Sequence, residues 1–224
     1  MGSTITLDNS LNPEERARLQ PAIDATASAL KASSKHDTTA TPKEEIVISY
    51  PDPSLAENTE LVEFITQSIN AIYLSAEAEF WTEDFIRTNT SQVQDFIRSG
   101  HLALAWRANS DQSNPHDIMG CVYVKAARGE FGMLCCDPNA RGTGVGRKLL
   151  QFAEDDVRRK GGKVMRLEVL QGKGWANEFK QQLEDWYVRN GYVLERVEAF
   201  ESKFPEIATL LAKPAVARCF RKEL

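Results

Sequence analysis

The residues with the clearest chemical potential form a glycine-rich loop near the middle of the chain. The loop, Arg141–Gly146, reads RGTGVG, and it follows an apolar segment that ends at Cys136–Pro138. After the loop, apolar residues recur at helical spacing. Glycine lets the backbone adopt positive φ and leaves room for a ligand beside the main chain. Successive amides at the positive end of a helix bind phosphate oxygens, so the loop predicts a phosphate site between a strand and a helix.

Two common phosphate-binding loops do not fit this stretch. A dinucleotide-binding fold requires the spacing G-x-G-x-x-G, and Arg147 stands where the third glycine belongs. A P-loop requires Gly-Lys followed by Ser or Thr, whereas Gly146 is followed by Arg147, Lys148 and Leu149. A glycine-rich turn without a ligand remains an alternative from this string alone.

The elements around the loop are predicted from apolar periodicity. Strands are predicted over residues 46–50, 101–106, 118–126, 131–136, 164–170 and 193–200, with a last apolar segment near 215–220. Helices are predicted around residues 61–73, 91–98, 144–160 and 176–190. This order predicts an α/β fold with a mixed sheet flanked by helices.

The first 45 residues differ in composition from the rest. Asn12–Glu15 is a helix-start signal, and apolar residues recur at helical spacing from Leu19 to Leu30. Ser28–Pro42 is rich in Ala, Ser, Thr and Lys, which is typical of a linker. We therefore expect an N-terminal extension over residues 1–45, made of a short helix and a flexible linker, and a folded domain over residues 46–224.

Composition excludes several classes of protein. The chain has 224 residues, of which 42% are hydrophobic and 26% charged, as in ordinary globular proteins. A net charge of -5 argues against nucleic acid as a partner. No apolar run approaches the roughly 20 residues that span a bilayer, so no membrane partner is expected. The four cysteines lack metal-site spacing and are expected to be reduced thiols of a cytoplasmic protein without a metal.

Several motifs together resemble the GCN5-related N-acetyltransferase (GNAT) superfamily. Arg141, Gly144 and Gly146 satisfy the pattern of that family's pyrophosphate loop, in which Arg or Gln precedes two spaced glycines. Cys136–Pro138 resembles its hydrophobic-Asp-Pro strand end, and Trp186–Tyr192 (WYVRNGY) looks like its aromatic-Tyr-x-x-x-Gly-aromatic signature. The resemblance covers roughly residues 46–224. It implies the acyl-CoA N-acyltransferase fold and acetyl-CoA as the acyl donor.

The resemblance also implies roles for individual residues. Tyr187 falls at the place of the family's general acid. Glu168 and Glu130 fall at the places of catalytic glutamates in ribosomal-protein-acetylating and histone-acetylating relatives, respectively. Family members often carry an asparagine after the Glu-bearing strand, and Gln171–Trp175 departs from that pattern. The implied cofactor-binding residues are Leu134, Cys135, Cys136, Arg141, Gly142, Thr143, Gly144, Val145 and Gly146.

Acetyl transfer from a thioester to an amine makes three chemical demands. The amine must lose its proton, which costs roughly 4–5 kcal/mol at pH 7 for a lysine-like pKa near 10.4. A carboxylate can take that proton, and Glu168, Glu130, Glu77 and Glu79 are the candidates. Main-chain amides near Cys135 and Cys136 would hold the oxyanion. A phenol such as that of Tyr187 can protonate the departing thiolate.

The sequence therefore predicts direct acetyl transfer from acetyl-CoA to a primary amine, most simply that of a small molecule or an amino acid. A protein N-terminus or lysine is the alternative acceptor. A non-catalytic acyl-CoA-binding module is the alternative from another functional class. A homodimer is compatible with the sequence, which does not decide the oligomeric state.

Overall fold

The computed structural model describes residues 14, 17, 20, 21, 23–25, 45–82 and 85–224. Within these residues, seven strands form one sheet and helices cover both of its faces. The strands are β1 (Ile46–Ser49), β2 (Leu102–Arg107), β3 (Ile118–Lys125), β4 (Glu130–Cys136), β5 (Val164–Gly172), β6 (Val193–Ala199) and β7 (Ala215–Glu223). The helices are α1 (Thr59–Ala76), α2 (Thr90–Arg98), α3 (Val145–Arg159), α4 (Glu178–Arg189) and the short α5 (Phe200–Lys203).

The sheet is mixed, as predicted. Its strand order is β1-β2-β3-β4-β5-β7-β6. Every neighbouring pair is antiparallel except β4 and β5, which are parallel and are joined by the α3 crossover. The one parallel pair therefore lies in the middle of the sheet, directly before and after the glycine loop and its helix.

Three apolar clusters hold the layers together. One lies between the sheet and the face of α3 and α4, and a second lies between the sheet and the face of α1 and α2. The third joins the segment after α1 to the connection between β6 and β7, through residues such as Phe80, Trp81, Phe85, Phe200 and Ile207. The predicted apolar faces of the helices are thus the buried ones, while the third cluster was not predicted.

The ends of the helices follow the local sequence signals. Asn177 caps α4 by accepting a hydrogen bond from the amide of Lys180 at 3.0 Å. Asn89 and Gln92 form a reciprocal capping box at the start of α2. Gly161, at φ +82°, follows the end of α3, where a break was predicted. The observed bounds lie within two residues of the predicted ones for both α3 and α4.

The N-terminal segment lies partly outside the described residues. Residues 14, 17, 20, 21 and 23–25 are helical, in the stretch where a helix was predicted. The Ser75 hydroxyl donates a hydrogen bond to the Ile23 carbonyl at 3.0 Å, so this helix lies against the C-terminal end of α1. The predicted linker, Ser28–Pro42, lies outside the described residues. Among the described helices, none is both long and apolar enough to cross a membrane.

Candidate functional site

A gap between β4 and β5 is the main irregularity of the sheet. The two strands pair only where Glu130 lies beside Arg166, and the Arg166 amide donates to the Gly129 carbonyl at 2.7 Å. Beyond that point β4 stays paired with β3 and β5 with β7, but not with each other. The strands therefore separate toward their C-terminal ends, and the main-chain groups along the gap have no strand partner on that side.

A β-bulge bends β4 at this gap. Cys121 of β3 pairs with Cys135, whereas Tyr123 pairs with Gly132, so β4 carries one extra residue between the two pairs. Met133 has φ +45°, a left-handed value that is uncommon for a residue other than glycine. A bulge interrupts the ladder and re-aims the neighbouring main-chain groups. The apolar sequence of β4 does not predict this bulge.

The glycine loop lies where β4 ends and α3 begins, as predicted. Gly142 and Gly144 have φ values of +81° and +90°, and an added Cβ at either position would meet nothing within 4 Å. Gly144 is the N-terminal cap residue of α3. Among the described residues, no hydrogen-bond acceptor is found for the amides of Gly142, Gly144, Val145 and Gly146. Open space and free amides at a helix N-terminus are suited to a phosphate group.

The loop is held by contacts that leave those amides free. The Thr143 hydroxyl donates to the Ala140 carbonyl at 2.6 Å, and the Asp137 carboxylate accepts from the Asn139 amide at 2.9 Å. The guanidinium of Arg141 lies 6.0 Å from the ring centroid of Phe179 on α4. The loop is therefore anchored both to its own turn and to α4.

Tyr187 lies at the same gap, on the face covered by α3 and α4. The residue is only 6% exposed, and its ring packs against Phe131, Trp186 and Tyr192. No hydrogen bond to its hydroxyl acts on it among the described residues. Burial raises the pKa of Tyr187 far above its ordinary value, and the nearby Cys136 and Cys135 thiols add to the shift. The phenol is therefore neutral at physiological pH and can donate a proton.

The two adjacent cysteines face opposite sides of β4, as successive strand residues do. Cys135 belongs to the core under α1 and α2, whereas Cys136 packs against the core under α3 and α4. The Cys136 sulfur lies 3.3 Å from the position a Cβ would take at Gly146, so it adjoins the loop. Burial raises the pKa of the Cys136 thiol to about 12, so this thiol stays protonated at neutral pH and is a poor nucleophile.

A polar cluster between the end of α1 and the start of α4 joins the candidate Glu77 to residues that the sequence did not single out. Glu77, at the end of α1, forms a buried ion pair with Lys180 and accepts from the Trp81 indole at 2.7 Å. The Arg87 guanidinium lies 4.9 Å from the ring centroid of Tyr73. Burial raises the pKa of Tyr73, and the neighbouring groups that act on it include Cys135, Glu77 and Tyr187. The cluster therefore lies close to the gap that Tyr187 faces.

The predicted candidate bases occupy distinct places. Glu168 is exposed and pairs with Lys203 of α5 at 3.0 Å. Glu130 lies where β4 and β5 are still paired, on the same face of the sheet as Glu168. Glu77 forms a buried ion pair with Lys180, and Glu79 forms an ion pair with Lys213 at 3.0 Å near the surface. The structure therefore brings the glycine loop, Cys136 and Tyr187 together, and it keeps these glutamates apart from the loop.

Two surface clefts flank α4, and neither is lined by the glycine loop. One of about 490 Å³ includes Arg147, Glu154, Arg158, Arg189 and Lys222. The other, of about 550 Å³, lies beside the start of α4 and includes Trp175, Asn177 and Arg218. Arg158 and Lys222 both pair with the buried Glu154, so part of the positive charge in the first cleft is already compensated. The candidate site is therefore identified by the gap between β4 and β5 and not by either of these clefts.

Comparison with known proteins agrees with this geometry. Residues 101–194 match the family model described as an acetyltransferase (GNAT) domain. The matched range contains β2 to β5, the glycine loop, and α3 and α4. The chain matches no curated protein sequence.

Several solved structures share the fold. A chain of the NatC complex bound to Gag peptide and CoA is 18% identical, with a TM-score of 0.53, and the match covers 80% of this chain and 99% of that one. An aminoglycoside 6'-N-acetyltransferase complexed with coenzyme A is 14% identical, with a TM-score of 0.53 and coverage of 79% and 96%. The yncA protein of Salmonella typhimurium, solved with its cofactor acetyl-CoA, is 13% identical, with a TM-score of 0.50 and coverage of 80% and 94%. At these identities the likeness concerns the fold.

Proposed function

Because residues 101–194 match an acetyltransferase (GNAT) domain model, we propose that the chain is an acetyltransferase of that family and transfers acetyl from acetyl-CoA directly to a primary amine of a small molecule or amino acid. The observation that carries the proposal is the glycine loop with its free amides at the start of α3, beside the gap between β4 and β5. Tyr187 lies at that gap with a neutral, unpartnered phenol. A phosphate site, an open strand edge and a proton donor are thus adjacent.

In the proposed reaction, the loop amides from Gly142 to Gly146 bind the pyrophosphate of the donor. The pantetheine arm lies along β4 at Leu134, Cys135 and Cys136. The amine nitrogen attacks the thioester carbonyl, and main-chain amides at the β4 bulge stabilise the oxyanion. When the carbon–sulfur bond breaks, the electron pair goes to sulfur, and Tyr187 donates its proton to that thiolate.

The proposed base that accepts the amine proton is Glu168 or Glu130, directly or through water. Both project from the sheet face opposite α3 and α4, from which the acceptor would approach. Glu168→Gln and Glu130→Gln distinguish them, because loss of the base lowers kcat and removes the acidic limb of the pH–rate profile. The variant that keeps a normal profile is not the base.

The proposal of a small acceptor draws on a connection between two segments that pack over the third apolar cluster. The Thr82 amide donates to the Leu210 carbonyl, and the Ala212 amide donates to the Phe80 carbonyl, both at 2.8 Å. These bonds join the segment after α1 to the connection between β6 and β7, over the third apolar cluster. We infer that this connection narrows the acceptor side, which favours a short amine over a polypeptide. A protein amino group is the second candidate, since the NatC chain of the same fold was solved with a bound peptide.

The test is release of coenzyme A thiol from acetyl-CoA over a panel of amines, amino acids and short peptides. We expect turnover on members of the small-amine set, together with acetylated product found by mass spectrometry. Turnover on peptides alone would select the protein acceptor. Binding of acetyl-CoA with no turnover on any amine would instead support a non-catalytic binding module and contradict the proposal.

The organisation of the chain is part of the proposal. We assign residues 46–224 to the catalytic domain and residues 1–45 to an N-terminal extension. The described cysteines are free thiols, which is compatible with a cytoplasmic location and with the absence of a structural metal site.

A further inference from the structure

Arg87 carries a charge that the described chain does not neutralise. No ion pair joins it to a carboxylate among the described residues. Its side chain hydrogen-bonds that of Tyr73, and its buried Nε has no hydrogen-bond partner. Burial lowers the pKa of Arg87, but Tyr73 and Glu77 raise it by more, so the guanidinium is a cation at any physiological pH. A part-buried cation without an anionic partner is costly, and proteins normally pair such groups.

The position of Arg87 is fixed by the fold. Its amide and that of Thr88 donate to the Asn70 side chain at 2.9 and 3.0 Å, which ties this segment to the middle of α1. The side chain then extends over the ring of Tyr73 and comes within electrostatic range of Cys135 on β4. Arg87 therefore reaches the gap from the side opposite α3 and α4, where the acceptor amine must approach.

The neighbouring charges do not compensate for it. Among the described residues, Glu77 is the acid that acts electrostatically on Arg87, and its two carboxylate oxygens bind Lys180 and the Trp81 indole. One acid and two cations, Lys180 and Arg87, leave a net charge of +1 in this cluster. Tyr73 contributes a ring face and a hydroxyl but no charge, because burial raises its pKa. Within the described residues, this cluster therefore carries one more positive than negative charge, beside the proposed place of acetyl transfer.

We propose that Arg87 binds a carboxylate of the acceptor, so that the substrate is a small amine that also carries a carboxylate, as an amino acid does. This inference rests on the proposed function and adds the substrate class to it. A guanidinium binds a carboxylate through two parallel hydrogen bonds, which fixes orientation as well as position. Held in this way, the carboxylate anchors the substrate while its amino group faces the thioester.

A purely structural role for Arg87 makes a different prediction. If its contact with the Tyr73 ring were its whole function, replacing it would lower stability and reduce turnover on all amines alike. A carboxylate-binding role instead changes selectivity between amines. The informative readout is therefore the ratio of two kcat/KM values within one variant, since a general loss of activity cancels from it.

The experiment uses the full chain and matched pairs of acceptors. Each pair consists of an amino acid and its decarboxylated amine, namely phenylalanine with 2-phenylethylamine, leucine with isopentylamine, and lysine with cadaverine. For at least one pair, the unmodified protein should prefer the amino acid by on the order of 10²-fold or more, because a site built around a polar group rejects the analogue that lacks it. The preference should fall to near one in Arg87→Gln, whereas acetyl-CoA affinity should be unchanged.

Two further variants complete the design. Arg87→Lys keeps the charge but not the paired hydrogen bonds, so an intermediate preference is expected; it also serves if Arg87→Gln fails to fold. Arg98→Gln, in an exposed ion pair with Glu57, is the matched control and should keep the full preference. Turnover on amines with no preference for the amino acid, or with a preference that survives in Arg87→Gln, would overturn this inference alone. No turnover on any amine would count against the proposed function itself.

Discussion

Replacing Gly144 with aspartate should separate the phosphate-binding role of the loop from its structural role. Gly144 caps α3 with φ +90°, and the space beside it is open, so the new side chain has room. The added carboxylate would lie where the donor's pyrophosphate is proposed to bind. We therefore expect weaker binding of acetyl-CoA with only a modest change in folding stability.

The expected loss of affinity follows from Coulomb's law. Two unit charges about 5 Å apart, at an effective dielectric constant of about 20, repel each other by about 3 kcal/mol. That energy corresponds to an increase in Kd on the order of 10²-fold. The repulsion is screened by salt, so the loss should shrink at high ionic strength.

The added carboxylate repels the bound ligand, but its interaction with the helix dipole favours the folded state. A left-handed backbone costs a residue other than glycine about 1–2 kcal/mol. A carboxylate at the N-terminus of a helix recovers about 0.3–1 kcal/mol from the helix dipole. We expect Gly144→Asp to lower the free energy of unfolding by roughly 1 kcal/mol, far less than its effect on binding.

Gly161 provides the matched control at the other end of the same helix. It has φ +82° and nothing within 4 Å of an added Cβ, so Gly161→Asp meets the same backbone strain and the same open space. Its carboxylate lies at the negative end of the dipole, so this variant should be the less stable of the two. It should nevertheless bind acetyl-CoA normally. Isothermal titration calorimetry and urea unfolding measure both quantities, and equal acetyl-CoA affinity in the two variants would refute the loop assignment.

Three further predictions concern Tyr187 and two buried ionic groups. Tyr187→Phe should lower kcat by roughly 10²- to 10⁴-fold while acetyl-CoA affinity stays unchanged. Stability should be nearly unchanged, since the hydroxyl has no hydrogen-bond partner to lose. An unaltered kcat would show that Tyr187 is not the acid. Glu77→Gln or Lys180→Met alone should destabilise the fold by about 3–5 kcal/mol, because each leaves a buried unpaired charge. The double variant should recover much of that loss when stability is measured by urea unfolding. Strictly additive losses would contradict this prediction. The third prediction concerns Asp156. Burial alone would raise the pKa of this carboxyl, but hydrogen bonds from Lys160, Tyr50 and Arg159 hold that pKa below its ordinary value. The charged carboxylate contributes fully to stability above about pH 4, and this contribution is lost as the pH falls further. Asp156→Asn should therefore lower the free energy of unfolding by about 1–3 kcal/mol at pH 7 and by less near pH 3. A loss that does not vary with pH would contradict the assignment.

Much of the fold was predictable because local signals and the global pattern agree. Apolar periodicity placed α3 and α4, and glycines marked the end of α3 and the start of its phosphate loop. The alternation of side chains along a strand accounts for Cys135 and Cys136 on opposite faces of β4. The family resemblance named Tyr187 and the loop together as site residues, although the two are more than 40 residues apart in sequence.

The parts that were not predictable depend on contacts distant in sequence. The β4 bulge at Met133 arises from pairing with β3, and the apolar run itself carries no mark of it. Arg87 looks like an ordinary loop cation until the fold brings it over Tyr73 and beside Cys135. Likewise, nothing local distinguishes Glu77 from Glu79, yet only Glu77 is buried with Lys180, 103 residues further along the chain.

The most direct test of the account is a crystal structure of the protein with coenzyme A. The pyrophosphate oxygens should lie within about 3 Å of the amides of Gly144, Val145 and Gly146, with the sulfur inside the gap facing the Tyr187 hydroxyl. Coenzyme A bound elsewhere, for example in the cleft lined by Arg147 and Arg189, with the loop amides facing only solvent, would contradict it.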